Sequence, residues 1–161
     1  MIVYHGSYLP VENPRIIASI RTLDFGRGFY ATTNEEQAKE WARKVIKRRP
    51  EGTAYVSSYE FDNDSAKERL RYQRFDRADE AWLDYVCDCR AGREGQDNYD
   101  IVYGPVADDD VYTTLILYER GILDKDETLR RLRIKKLFDQ ILFHTEEALT
   151  YLAFVNSEKL L

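Results

Sequence analysis

The sequence is poor in the features that would direct it to a membrane or out of the cell. It has two cysteines and one methionine among 161 residues. It contains no window of about 18 consecutive apolar residues, and its first residues lack the charged region and apolar stretch of a secretion signal. The sequence therefore predicts neither a membrane span nor a signal peptide, and we expect a cytoplasmic protein.

Metal ligands and disulfide partners are also scarce. Cys87 and Cys89 are one residue apart on a predicted helix, so their side chains point to different sides and a bridge between them would be strained. We expect two reduced thiols. A closed zinc site needs four ligands, and these two cysteines have no neighbouring histidine because His144 is far off in sequence. We therefore predict no metal. The run Asp108-Asp109-Asp110 could bind a divalent cation, but it precedes a predicted helix and fits better as its cap.

The charge balance argues against a strongly anionic partner. The 24 basic and 29 acidic residues give a formal net charge of −5, which provides no overall attraction to nucleic acids or anionic lipids. A nucleic-acid partner would need a local patch, and the candidate patch consists of Arg43, Lys44, Lys47, Arg48 and Arg49. Basic residues near the end of a helix also stabilise it by facing its negative dipole end, and this second interpretation is favoured. We therefore predict no membrane partner and do not expect a nucleic-acid partner.

The order of predicted elements indicates one α+β domain over residues 1–161. Apolar and β-branched runs predict strands at residues 2–5, 29–32, 53–61, 99–103 and 140–144, with a last strand or tail from residue 153. The capping-box spacing of Thr33-Asn34-Glu35-Glu36 predicts a helix that ends near Pro50. Further helices are predicted around residues 78–89, 111–120, 126–136 and 148–152, with a polar loop at 92–98. Strands among helices at unequal spacing argue against a doubly wound sheet.

Three separated motifs occur in a meaningful order. His5-Gly6-Ser7 ends the first predicted strand, Gly26-Arg27-Gly28-Phe29-Tyr30 runs into the second, and Asp139-Gln140-Ile141 begins a late strand. Together they resemble the ADP-ribosyltransferase superfamily, in its His-Tyr-Glu branch of poly-ADP-ribose polymerases and diphtheria-like toxins. The resemblance touches residues 4–8, 25–42 and 139–144. It implies an ADP-ribosyltransferase-like fold of split antiparallel β-sheets flanked by helices.

The resemblance also implies an NAD site. His5 would bind the adenosine ribose, the Gly6 backbone would pair with the nicotinamide carboxamide, and the rings of Tyr30 and Trp41 would sandwich the nicotinamide. Ala38 stands where the polymerases carry a serine that binds the carboxamide, so that contact is missing. The implied cofactor-binding residues are His5, Gly6, Ser7, Gly28, Tyr30 and Trp41.

The late strand departs from the family pattern. The family glutamate is replaced by Gln140, which can accept a hydrogen bond from a ribose hydroxyl but carries no charge to oppose an oxocarbenium-like centre. The implied catalytic residues are thus His5, Tyr30 and Gln140. Possible substitute acids are Asp139, Glu146 and Glu147. The side chain of Asp139 should point to the opposite face of the strand, and the two glutamates suit the first turn of a helix.

Each site residue also has an ordinary structural interpretation. His5 can be a satisfied polar residue at a strand end, Tyr30 a strand residue, and Trp41 a core residue on the apolar stripe that includes Val45 and Ile46. The joint order of the motifs favours an NAD-dependent mono-ADP-ribosyltransferase that modifies a macromolecular acceptor, in the manner of a bacterial toxin paired with an antitoxin protein. The alternatives are a non-catalytic module that binds NAD or ADP-ribose and a structural domain without NAD affinity.

Overall fold

The structure is a computed structural model that describes residues 1–17, 23–93, 98–106, 109–133 and 137–161. The described residues form seven strands and six helices in a mixed α+β arrangement. The strands are β1 (Ile2–Ser7), β2 (Phe29–Ala31), β3 (Tyr55–Phe61), β4 (Tyr72–Arg74), β5 (Ile101–Pro105), β6 (Asp139–Phe143) and β7 (Leu152–Lys159). The helices are α1 (Glu35–Arg48), α2 (Asn63–Arg69), α3 (Glu80–Arg90), α4 (Asp109–Glu119), α5 (Lys125–Arg133) and α6 (Glu146–Leu149).

The strands form two sheets that meet at one residue pair. The first sheet has the order β1-β3-β7 and is antiparallel throughout. The second has the order β2-β6-β5-β4 and is antiparallel except where β4 runs parallel to β5. Tyr4 and Thr32 join the sheets, with N–O distances of 2.8 and 2.9 Å between their backbones. The α+β class is confirmed, and the parallel β4–β5 pair departs from the predicted antiparallel sheets.

Two apolar clusters lie on opposite faces of the second sheet. Along β6, Ile141 and Phe143 belong to a cluster shared with the first sheet, whereas Leu142 belongs to a cluster shared with α3, α4 and α5. Successive side chains of a strand point to opposite faces, so β6 is apolar on both sides. The same alternation places the side chains of Asp139 and Gln140 on opposite faces of the sheet.

Several predicted boundaries are corrected. The N-cap of α1 is Asn34 rather than Thr33, because the Asn34 side chain accepts from the Gln37 amide at 2.9 Å. Strand β1 continues through Gly6, which was expected to end it, and β5 continues through Gly104-Pro105. The last strand is present as β7. Residues 134–136 of the predicted helix and 94–97 of the predicted loop lie outside the described residues, as do Asp108 and the side chain of Asp109.

Helix α2 and strand β4 were not predicted from the sequence. Asp62 caps α2 by accepting from the Ser65 amide. Beside β4, the Arg71 guanidinium contacts the Asp100 carboxylate through Nε at 3.0 Å and Nη2 at 2.8 Å. This pair ties the start of β4 to the start of β5 across 29 residues, a long-range contact that short-range periodicity does not encode. Within the described ranges, no helix is long and apolar enough to cross a membrane.

Candidate functional site

The pairing of β1 with β2 is limited to the Tyr4–Thr32 bridge, and we call the space between the two strands beyond it the β1–β2 gap. The N-terminal amine and carbonyl of Met1 exchange hydrogen bonds with Phe61 on β3, at 2.9 and 2.7 Å. Because backbone groups alternate sides along an antiparallel ladder, those of Tyr4 and Gly6 point away from β3. Tyr4 uses its groups to bind Thr32. Gly6 is buried, and within the described chain no hydrogen bond takes up its N–H or C=O, so one donor and one acceptor face this β1–β2 gap without a partner.

His5 bridges the two walls of the gap. Its Nδ1 donates to the carbonyl oxygen of Tyr30 at 2.7 Å, and its ring centroid lies 4.4 Å from that of Phe29. Since a carbonyl can only accept, Nδ1 carries the proton and Nε2 of the neutral ring is an acceptor. Desolvation by burial lowers the pKa of His5 below its ordinary value, against a smaller opposing effect of the Tyr30 hydrogen bond. The imidazole is therefore neutral at neutral pH.

Gly6 lies directly beneath α1. A Cβ atom at Gly6 would be 2.1 Å from the Ala38 carbonyl oxygen and 2.9 Å from the Ala42 nitrogen. Ala38 and Ala42 are both buried, so two small helix residues and a glycine bring helix and strand backbones together. Ala38 thus serves a close packing contact. Ser7, the next motif residue, is buried, and its hydroxyl donates to the Leu9 carbonyl at 2.6 Å.

Tyr30 fixes the glycine-rich loop that precedes it. Its hydroxyl donates to the Gly26 carbonyl at 2.6 Å and accepts from the Phe25 amide at 3.2 Å. Burial raises the pKa of this phenol well above its usual value, so it stays protonated. The hydroxyl is committed to the loop and the carbonyl to His5, and the ring packs against the apolar cluster shared with α3, α4 and α5. Gly28 is required by packing, because a Cβ there would be 2.3 Å from the Phe143 carbonyl oxygen.

Trp41 is not a core residue. Its side chain is 49% exposed, while its neighbours Ala38 and Ala42 on the helix are buried. Burial with Val45 and Ile46, the alternative to a role at the site, is therefore not what the structure has. No ring contact joins Trp41 to Tyr30 among the described aromatic pairs. The two rings could therefore act together only through a ligand that contacts both of them.

Gln140 and Tyr30 lie on the same face of the second sheet. Tyr30 is opposite Leu142 in the β2–β6 register, and Gln140 precedes Leu142 by two residues. Gln140 is 7% exposed, and its Nε2 is 3.5 Å from the Pro105 carbonyl oxygen, at the limit of a hydrogen bond. The diagonal neighbours of an antiparallel pair are about 7–8 Å apart. This distance is within reach of a ligand that contacts both side chains.

Asp139 points to the other face and is fully engaged. Its carboxylate accepts from Thr32 Oγ1 at 3.0 Å, the Thr33 amide at 2.9 Å and the Tyr103 hydroxyl at 2.8 Å, and the Thr33 hydroxyl also donates to it. It therefore ties β2, β5 and β6 together at the start of α1. Motif analysis missed this role; its only sequence signal was the pair of threonines before the helix cap. The other substitute acids lie at α6, where the Glu146 carboxylate accepts from the Ile16 amide.

The surface also has concavities away from the gap. One, of about 770 Å³, is lined by residues of α3 and α4 that include Cys87, Arg90 and Glu119. Another, of about 780 Å³, lies near Met1 and Asp62. None of the predicted site residues lines either one. Arg90 lies between Glu119 and Asp24, with N–O distances of 2.9 and 3.4 Å, so the polar groups of the first concavity satisfy one another. The described residues hold no cluster of three potential metal ligands.

Comparison with known proteins identifies one family to which the chain is similar. A family model described as "Protein of unknown function (DUF3990)" matches residues 1–154. No curated protein and no solved structure matches the chain. The match covers all of the residues that line the β1–β2 gap, together with β6 and the first three residues of β7.

Proposed function

The chain belongs to the DUF3990 family of proteins of unknown function, and from this premise we propose that it is an NAD-dependent mono-ADP-ribosyltransferase with an ADP-ribosyltransferase-like fold. The observation that carries the proposal is the pair of open backbone groups of Gly6 at the β1–β2 gap. A carboxamide offers one acceptor and a pair of donors in a plane. The Gly6 N–H and C=O are the complementary pair, side by side on one strand.

The ribose contact follows from the tautomer of His5. With its Nδ1 proton committed to Tyr30 at 2.7 Å, the ring can accept a hydrogen bond from a ribose hydroxyl through Nε2. The lowered pKa keeps this acceptor available at neutral pH. His5 thus orients a sugar while its other nitrogen holds the two strands at a fixed spacing.

Trp41 supplies the exposed aromatic surface. The connection β2–α1–β3 joins two strands that are each antiparallel to β1, and such crossovers are right-handed in about 98% of cases. A right-handed connection would turn the flank of α1 that carries Trp41 toward β2. Stacking of a nicotinamide on an aromatic ring is worth about 0.5–1.5 kcal/mol beyond area burial, and the positive pyridinium ring adds a cation–π attraction.

The proposed reaction breaks the bond between the ribose C1′ and the nicotinamide nitrogen. Nicotinamide leaves with the bonding electron pair, a nucleophile of the acceptor attacks C1′, and the acceptor's proton passes to solvent. Gln140 would accept a hydrogen bond from a ribose hydroxyl through its Oε1, while its Nε2 faces the Pro105 carbonyl. Without a carboxylate, the oxocarbenium-like centre is opposed by dipoles alone, so we expect slow turnover.

A non-catalytic module that binds NAD or ADP-ribose is the second candidate. The uncharged, buried Gln140 favours it, as does the commitment of the adjacent Asp139 carboxylate to Thr32, Thr33 and Tyr103. The two candidates share the binding site and differ only in turnover. We further propose that the biological setting is a toxin restrained by an antitoxin protein, a role that rests on analogy with the resembled family.

Two measurements test the proposal. Calorimetric titration with NAD should show binding by the wild type and weaker binding by Trp41→Ala. Phe154→Ala, which removes an aromatic side chain 40% exposed on β7, is the matched control and should bind NAD like the wild type. Labelled NAD added to a cell lysate, followed by mass spectrometry, should then find ADP-ribose on a macromolecule. If the wild type has no measurable NAD affinity, both candidates fail.

A further inference from the structure

The C-terminal half of α1 carries a concentrated positive charge. We call Arg43, Lys44, Lys47, Arg48 and Arg49 the basic surface of α1. Residues 41–49 contain these five cations and no acid, in a chain whose formal net charge is −5. All five side chains are exposed. The charge therefore forms a local patch that opposes the sign of the whole molecule.

Most of this charge has no acidic partner. Arg43, Lys47 and Arg48 have no ion pair among the described residues. At the other end of the helix, Lys39 is held by Glu35 and Glu36 at 2.8 and 3.0 Å. Several cations elsewhere are paired with acids, as in Arg93–Asp88, Lys125–Asp84 and Arg131–Glu127.

The helix dipole accounts for only part of this pattern. Its stabilisation of cations falls off within the last turn, where Lys47 and Arg48 lie. Arg43 and Lys44 are further from the helix end. Arg49 does not turn back to the last carbonyls, because its guanidinium carbon lies 4.6 Å from the centroid of the Tyr8 ring. The basic surface is therefore larger than helix capping requires.

Its position links it to the β1–β2 gap. Tyr8 follows Ser7 at the end of β1, and the α1 backbone contacts Gly6 through Ala38 and Ala42. Trp41, Lys44 and Arg48 recur at positions i, i+3 and i+7, so they share one flank of the helix. They cover about 10 Å of its axis at about 1.5 Å per residue. A polyanion on this flank would run past Trp41 to the mouth of the gap.

We propose that the basic surface of α1, together with the stacked Tyr8–Arg49 pair, binds single-stranded nucleic acid. Cations follow the phosphates, and an aromatic ring with a guanidinium on it offers a platform for an unpaired base. A membrane surface is the less suitable partner, because Ala38 and Ala42 are buried against β1 and Trp41 is the one large apolar side chain of α1 that is exposed, which is too little for an apolar face. A bound strand would be the acceptor of the transfer, a step that rests on the proposed function.

The test measures the anisotropy of a fluorescent single-stranded RNA oligonucleotide. Wild type is compared with the triple variant Arg43→Glu, Lys47→Glu, Arg48→Glu. A matched control reverses Arg130, Arg131 and Arg133 on the exposed surface of α5 and changes the net charge equally. We expect the α1 variant to bind at least about tenfold more weakly and the control less than about threefold. In the α1 variant, the slope of log K against log salt concentration should be less negative than in the wild type by about 2. Each of the three lost phosphate contacts accounts for about 0.7 of this difference.

Other outcomes would overturn the inference. Equal losses in the two variants would mean that only the net charge matters. Loss of NAD affinity by the folded α1 variant, measured by calorimetry, would assign its cations to the cofactor phosphates. Binding to anionic phosphatidylserine vesicles or to duplex RNA, but not to the single strand, would replace the proposed partner.

The proposed function can fail separately. If the wild type transfers ADP-ribose to lysate proteins yet binds no oligonucleotide, the basic-surface inference is wrong and the transferase stands. If the oligonucleotide binds through α1 but NAD releases no nicotinamide, nucleic-acid binding stands and the transferase is wrong.

Discussion

The Nδ1 atom of His5 lies 2.7 Å from the carbonyl oxygen of Tyr30, across the gap where the two sheets part. This hydrogen bond replaces the ladder contact that a continued β1–β2 pairing would have made. It leaves the Gly6 backbone groups without a partner on β2.

His5→Phe should weaken NAD binding by about fivefold, because a typical net hydrogen bond is worth about 1 kcal/mol. Phenylalanine keeps a ring that can pack on Phe29 but offers neither nitrogen. Calorimetric titration at pH 7.5 measures the effect. Unchanged affinity in a folded variant would remove His5 from the site.

The pH dependence of stability should also change in His5→Phe. Burial lowers the pKa of His5 in the folded state below its ordinary value of 6.5, so the unfolded chain binds more protons as pH falls below about 6.5. The free energy of unfolding of the wild type should decrease over that window, down to the lowered folded pKa. The His5→Phe variant lacks this pH-dependent contribution to the free energy of unfolding. Urea denaturation at pH 7.5, 6.5 and 5.5 compares the two, and parallel curves would contradict the shift.

Gly6→Ala should destabilise the fold. The new methyl group would overlap the Ala38 carbonyl oxygen at 2.1 Å, and forced overpacking costs about 1–3 kcal/mol or more. Gly121→Ala is the control, since a Cβ at Gly121 meets nothing within 4 Å although its φ is +72°. Thermal unfolding should show the larger loss for Gly6→Ala. The reverse order would mean that α1 does not pack closely on β1.

Asp139→Ala should destabilise the protein by about 3 kcal/mol, because hydrogen bonds to charged groups contribute about 1.5–3 kcal/mol each and their donors would be left unpaired. The donors are the Thr32 hydroxyl, the Thr33 amide and hydroxyl, and the Tyr103 hydroxyl. Asp139→Asn keeps part of the network and should lose less. Urea denaturation measures both, and a loss below about 0.5 kcal/mol for the alanine variant would refute the structural role.

Gln140 decides between the transferase and the binding module. Gln140→Ala should lower nicotinamide release by about a hundredfold or more with little change in NAD affinity, since one preorganised polar group in a transition state is worth about 2.7–4 kcal/mol. Gln140→Glu should raise NAD hydrolysis by restoring an anion beside the oxocarbenium-like centre. If the wild type and both variants bind NAD but share background turnover, the binding module is the better account.

The sequence by itself determined the elements whose signals are local. Helix α1 follows from the period of its apolar residues and the capping residues before it, and β3, β5 and β6 follow from their β-branched and apolar runs. The order of the three motifs was also visible, because each motif is a short contiguous segment. The errors among these elements are mainly shifts of their ends, where capping is decided by contacts such as Asn34 to Gln37.

Only the tertiary structure decided what those motifs can do. The open Gly6 groups depend on the β1–β3 register and on the parting of β2, and the exposure of Trp41 depends on which flank of α1 meets β1. The Asp139 contacts to Thr32 and Thr33 span more than 100 residues, and Arg71 holds β4 through Asp100. Such relations are set by packing and register between distant segments. Local propensity specifies the period of each segment but not the partner it meets.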